Sequence, residues 1–183
     1  METERLILRE WEWESKDLEP FYRMSSDRIV MEYYPNPLTK VECEKFITKV
    51  KIHFTEFGYG PWVLESKNKR MDRLYWLFES LFSAFFTSAI EIGWRLNSNF
   101  WNLGYAAEAA SACLNYGFDE FKYPKIVSFT SVLNIRSESV MKKIGLKKIG
   151  SFYHPNLPAK HRLSDVFYQI TDSKWNKLKR FLY

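Results

Sequence analysis

The stretch "FWNLGYAAEAASACLNYGF", Phe100–Phe118, sets a tight turn directly ahead of an alanine-dense helix. A turn that opens a helix gathers outward-pointing backbone N–H groups at the positive end of the helix dipole, which is how proteins hold phosphate. Such turns usually need glycines, yet here Asn102 stands two residues before Gly104. Asparagine is among the few residues that tolerate positive φ. If the turn asks only for left-handed helical angles, Asn102 serves at a cost of about 1 kcal/mol or less beside glycine. If it asks for angles open to glycine alone, the turn shifts and anion affinity falls. Other reactive residue types are scattered. His53, His154 and His161 are too dispersed for a metal site, and Cys43 and Cys113 lack metal-type spacing, so no metal is expected. Both cysteines read as reduced, buried small residues of a cytosolic protein.

The elements around this turn follow from the pattern. "RLILR" (Arg5–Arg9) alternates polar and apolar residues and reads as a strand, and Ser15 is placed to cap a helix over "SKDLEPFYRMSS". In "LTKVECEKFITKVKIHFTEFG", Thr39 and Glu42 form a capping box, Phe46, Val50 and Phe54 recur every fourth residue, and Gly58 is the stop. "PWVLESK" and "AIEIGWRL" (Ala89–Leu96) read as strands. The helix from Gly104 sets Ala106, Ala110, Cys113 and Gly117 on one smooth face suited to close approach against a sheet. "KIVSFTSV" is a β-branched strand, and Asn134 caps a helix through "SESVMKKIG" that stops at Gly145. Strands at "LKKIGSFY" and "SDVFYQIT" and a short helix in "SKWNKLKRFLY" complete the order. Strands and helices in this succession imply an α/β fold with a mixed sheet, in one domain over residues 1–183.

Composition bounds the function. A chain of 183 residues with 46% hydrophobic and 18% aromatic content can bury a real core. The net charge of +5 suits an anionic ligand but is too small and scattered for a nucleic-acid binder, which needs clustered Arg/Lys beside stacking aromatics. No apolar run approaches a membrane span, and "METERLILREW" is charged and alternating, unlike a signal peptide, so a cytoplasmic protein without a membrane partner is expected.

Three motifs in order, "EIGWRL", "FWNLGYAAEAA" and "SVLNIRSESVMKKIGL", resemble the GCN5-related N-acetyltransferase (GNAT) family. The likeness is greatest to the branch that includes ribosomal-protein N-terminal acetyltransferases, and it covers nearly the whole chain, including "ETERLILREW" and "HPNLP". The third motif matches Asn-x-x-Ser-x-x-Val-x-x-Lys-x-Gly at every marked position from Asn134 to Gly145. The resemblance implies a mostly antiparallel central sheet with one splayed parallel pair, about four flanking helices, and acetyl-CoA as acetyl donor to an amine acceptor. In the family's phosphate loop, Gln/Arg-x-x-Gly-x-Gly/Ala, Asn99 replaces the first residue, Asn102 the first glycine, and Gly104 keeps the second. Backbone groups of Leu103, Gly104, Tyr105 and Ala106 would then face the pyrophosphate. The pantetheine arm would lie between "AIEIGWRL" and "KIVSFTSV", held by Ile92, Gly93, Trp94 and Arg95. By the same resemblance Asn134 contacts the coenzyme near its sulfur, and Ser137 offers a hydroxyl to the leaving thiolate. Glu91 is the candidate base for the amine; as plain structure it would be an outward strand residue paired with a cation such as Arg95. The plain alternatives for Asn134 and Ser137 are a helix cap and an exposed first-turn serine. Trp62 and Trp94 read as core, with a wall of the site as the alternative.

One stretch departs from the family. "RMDRLYWLFESLFSAFF" (Arg70–Phe86) should hold the third strand, where related sequences show Glu-x-Ile-Gly-x-Ile-Gly-Leu. It fits strand and helix equally. Suitable codons for Arg-Met-Asp-Arg-Leu-Tyr-Trp, AGA ATG GAT AGG CTT TAT TGG, read one base later give Glu-Trp-Ile-Gly-Phe-Ile-Gly, so two compensating single-base shifts would account for the segment, and resequencing decides. Kept as it stands, "LYWLF" offers a homodimer face or a lipid-contacting surface. The altered loop and strand together leave a second reading, an acetyl-CoA-binding protein with weak or no catalysis.

Overall fold

The computed structural model describes residues 1–12, 15–67, 74–75, 89–153 and 164–179. They divide between two compact units, Met1–Glu79 with Trp94–Ala109, and Ser80–Gly93 with Ala110–Tyr183.

In the first unit, strands β1 (Leu6–Arg9), β2 (Val63–Ser66) and β3 (Leu74–Tyr75) form an antiparallel sheet in that order. Helix α1 covers Ser15–Ser26 and α2 covers Lys40–Phe57. The capping box is present: Thr39 accepts from the Glu42 N–H, Glu42 accepts from the Thr39 N–H, and Gly58 closes α2 with left-handed angles. Ser15 falls inside α1 and not ahead of it, a one-residue difference of the kind helix ends commonly show. Trp11, Phe21 and Phe46 stack into an aromatic cluster, and the Trp11 indole donates to the Pro61 carbonyl at 2.6 Å. Arg9 of β1 forks onto the fully buried Asp17 at 2.8 and 2.7 Å, the geometry a buried carboxylate requires. Of the atypical segment, only β3 lies among the described residues, and it is the third strand, pairing Val63 with Tyr75 and Leu64 with Leu74. The remainder of Arg70–Phe86, with the frame-shift reading and most of the proposed dimer face, lies outside the described residues.

The second unit holds β4 (Ile90–Glu91), β5 (Lys125–Ser131), β6 (Lys147–Tyr153) and β7 (Ser164–Thr171), ordered β4-β5-β7-β6. β4 and β5 are parallel, as the splayed pair requires, and the other pairings are antiparallel. The family resemblance implies one central sheet; the described strands form two, and residues 76–88, between β3 and β4, lie outside the described residues. The strand expected over Ala89–Leu96 is also shorter. After Glu91 one further bond forms, from the Ile92 N–H to the Val127 carbonyl at 2.7 Å, and the ladder ends before Gly93, which has no side chain to hold a pleat.

Helix α3 (Tyr105–Asp119) begins in the first unit and ends in the second. Its covered face runs through Ala110, Cys113, Leu114 and Gly117, while Ala106, expected on that face, is half-buried at its edge. A Cβ on Gly117 would meet the Ile126 Cδ1 at 2.8 Å, so an alanine there would require the isoleucine side chain to shift. Helix α4 (Ile135–Lys143) follows the Asn134 cap, and α5 (Asp172–Leu178) is pinned by Trp175, whose indole donates to Asn115 at 2.8 Å. No described helix is long and apolar enough to cross a membrane.

Candidate active site

Each unit carries part of the residue set singled out in the sequence. In the first, a one-turn 3-10 helix (Ser98–Phe100) leads into the candidate phosphate loop. Asn97 caps it by accepting from the Asn99 N–H at 3.0 Å, and the Trp101 indole donates back to the Leu96 carbonyl at 2.9 Å. Asn102 then takes a φ of 62° and Gly104 a φ of 83°. The angle at Asn102 is the left-handed one that asparagine tolerates, so the substitution leaves the turn intact. The Gly104 carbonyl accepts the Glu108 N–H at 3.1 Å, which makes Gly104 the residue from which α3 starts. Asn99, Asn102 and Leu103 are exposed, as an anion site must be.

What braces this loop comes from residues distant in the chain. Arg5, just before β1, donates to the Leu103 carbonyl at 3.0 Å and to Glu108 at 2.6 Å, with its guanidinium 4.5 Å from the centre of the Tyr105 ring. Glu108 also accepts from the Thr3 hydroxyl at 2.5 Å and the Arg5 N–H at 2.9 Å. Burial works against its charge, but these hydrogen bonds outweigh it and hold Glu108 below the usual carboxylate range. The signal was available only as an Arg and a Glu far apart in sequence, which no spacing rule joins.

Arg95, also in this unit, has its side chain engaged. One guanidinium nitrogen donates to Ser25 at 3.2 Å, and the group lies 4.4 Å from the centre of the Tyr34 ring. Its Nε is buried without a partner among the described residues. The role expected of Arg95 was a backbone one and does not need the side chain. Trp62 is buried and meets Phe54 edge to face at 4.8 Å, the core reading. His53 meets Phe57 at a tilt and Tyr59 edge to face, and burial lowers its pKa; His154 and His161 lie outside the described residues. Cys43 is a buried free thiol whose pKa burial pushes up to about 11.

In the second unit, Glu91 sits at the last rung of the β4–β5 ladder opposite Val127. It is only 6% exposed, so it does not face outward, and it has an interaction of its own. Ile92 is buried beside it and Gly93 half-buried. Beyond β5, Asn134 and Ser137 are joined: the Asn134 side-chain oxygen accepts the Ser137 N–H at 3.1 Å. Asn134 is therefore a helix cap, and the half-buried Ser137 stands in the first turn of α4. Tyr168 of β7 donates to Glu138 at 2.6 Å, tying that first turn to the sheet. One residue with no role in the sequence reading is Asp165 of β7, 6% exposed and opposite Ser131. Burial pushes its carboxyl up to about 6. Among the described residues no three His, Cys, Asp or Glu side chains are grouped to hold a metal.

A family model for the acetyltransferase (GNAT) domain matches residues 5–147. The chain belongs to the GNAT acetyltransferases. It is 34% identical to an uncharacterized N-acetyltransferase, YnaD, of Bacillus subtilis, over 95% of this chain and 98% of that one. It is 24% identical to the FsC-acetyl coenzyme A-N(2)-transacetylase of Aspergillus fumigatus, over 98% of this chain and 79% of that one. Among solved structures, a GNAT-family acetyltransferase from Bacillus anthracis is similar at 29% identity and a TM-score of 0.77, covering 94% of this chain and 98% of that one.

Proposed function

We propose that this GNAT acetyltransferase moves an acetyl group from acetyl-CoA to a primary amine, a protein N-terminus or a small molecule, by direct attack in a ternary complex. The observation that carries the reading is the loop: Asn102 at a left-handed φ of 62° and Gly104 at 83°, opening α3. A Fungal relative named for acetyl coenzyme A supports the donor. The residues present fit it. Asn99, Asn102, Leu103, Gly104, Tyr105 and Ala106 would hold the pyrophosphate, and Ile92, Gly93, Trp94 and Arg95 the pantetheine arm through their backbone.

When bound, acetyl-CoA supplies an activated thioester. Glu91 then takes the amine's proton, directly or through water; an α-amine ionises near pH ~8, so a modest base suffices. Backbone N–H groups from Gly93 to Arg95 stabilise the oxygen on which charge develops. With the coenzyme bound, Asn134 would contact it near the sulfur, and the Ser137 hydroxyl would supply the proton for the leaving thiolate. Calorimetry with acetyl-CoA and a thiol-release assay over an amine panel test this reading. Binding with turnover supports it; binding without turnover leaves a coenzyme-binding protein, and no binding overturns it.

A further inference from the structure

In the second sheet Ser131 is paired with Asp165, Asp165 with Phe152, and Phe129 with Phe167. Directly paired residues, and residues two apart along a strand, project from one face. Phe129, Ser131, Phe152, Asp165 and Phe167 therefore share a face. The rings agree: Phe152 meets Phe129 edge-on at 5.4 Å and Phe167 at 6.2 Å. Ile126 and Tyr168 belong to the opposite face, where Gly117 of α3 and Glu138 of α4 meet them.

On this face Asp165 is buried, and among the described residues its carboxyl has neither a hydrogen bond nor an ion pair. A largely covered residue whose carboxylate has no counter-charge among the described residues, set beside half-exposed aromatic rings, favours a cation there. The rings offer apolar contact and cation–π attraction to the same ligand. The position is close to the proposed chemistry. The carbonyl of Ser131, the cross-strand partner of Asp165, accepts the Asn134 N–H at 2.8 Å, and its hydroxyl accepts the Leu133 N–H at 3.3 Å. The turn that opens α4 thus hangs from the strand position facing Asp165. Glu91 of β4, on the same face and paired with Val127 four residues before Ser131, has an interaction of its own.

We propose that Asp165, with the rings of Phe129, Phe152 and Phe167, is the acceptor subsite. Its ligand is a primary ammonium on an apolar body, an arylalkylamine in preference to a polyamine. One carboxylate, unpaired among the described residues, answers one ammonium, and three rings answer an apolar body better than a second charge. Calling the ligand an acceptor rests on the acetyl-transfer reading; the ammonium site itself does not.

The test is titration calorimetry of the full chain with phenethylamine and with spermidine, run both free and saturated with coenzyme A. Phenethylamine is expected to bind more tightly than spermidine, and Asp165→Asn to weaken it about tenfold or more. Phe152→Leu, which leaves the carboxylate untouched, is expected to weaken it about threefold or more. Phenethylamine that does not bind, tighter spermidine binding, or both variants binding like the wild type would each overturn the subsite. Acetyl-CoA titrated separately keeps the two readings apart. Its failure to bind removes the transfer reading, while the amine titration on the free protein still decides the subsite.

Discussion

Glu108 and Asp165 are both largely covered carboxylates, and their surroundings could hardly differ more. Glu108 is met by the Thr3 hydroxyl, the Arg5 N–H and the Arg5 guanidinium, which hold it below the usual range. Asp165 is met by none among the described residues, and burial alone raises it to about 6. The first is a brace: it fixes Arg5, which fixes the Leu103 carbonyl in the candidate phosphate loop. The second has no hydrogen bond or ion pair among the described residues, and the acceptor proposal rests on that. Compensated charge builds a site; uncompensated charge waits for its partner.

The two respond to pH with opposite signs. Asp165 has a folded pKa above its ordinary 3.8, so the protonated form favours the fold. Its contribution is fully present below about pH 4 and lost as pH rises through about 6. Glu108, held low, contributes above its ordinary 4.5, and that contribution is lost as pH falls through its folded pKa. The largest expected effect is therefore Asp165→Asn at pH 8, which stabilises the fold by removing a carboxylate that burial penalises when it is ionised. Urea unfolding at pH 8 and pH 4 checks it: the gain should be large at pH 8 and nearly gone at pH 4. Equal effects at both would mean Asp165 has a partner.

Glu108→Gln should cost about 1–3 kcal/mol, because the Arg5 and Thr3 donors lose an acceptor. It should also weaken acetyl-CoA binding by loosening the loop, measured by calorimetry. Destabilisation with unchanged coenzyme affinity would separate the brace from the site. Ser137→Ala should slow turnover about tenfold or more if its hydroxyl protonates the thiolate; an unchanged kcat would remove Ser137 from the mechanism. The smallest effect is expected of Asn102→Gly. With φ already left-handed, affinity should change about fivefold at most, corresponding to about 1 kcal/mol. A much larger gain would mean that asparagine distorts the loop.

The same contrast explains what could be read from the sequence. Features made by backbone conformation leave their mark in residue types at fixed spacing. Thr39 with Glu42, Gly58, Asn134, and Asn102 with Gly104 all announce their angles or caps, and each adopts them. Features made by side chains meeting across the chain leave no such mark. Arg5 and Glu108 meet only because β1 and α3 are folded, and Asp165 becomes buried only through the register of β7 with β5 and β6. The strand expected over Ala89–Leu96 reads long because alternation registers apolar pattern, whereas a ladder needs a neighbour, and the one β5 offers ends at Ile92. The three motifs pointed to the family, and the chain's match over residues 5–147 bears that out. They carry no information about the acceptor, because the residues proposed to meet it are contributed by strand pairing.

The account's central claim is that the Asn102–Ala106 loop and its neighbours hold acetyl-CoA. Titration calorimetry of the wild-type chain with acetyl-CoA tests this most directly. The account predicts saturable binding of one molecule per chain, with a dissociation constant of about 1 μM to 1 mM as for enzyme substrates generally. Absence of binding up to about 1 mM, with the protein folded, would contradict it.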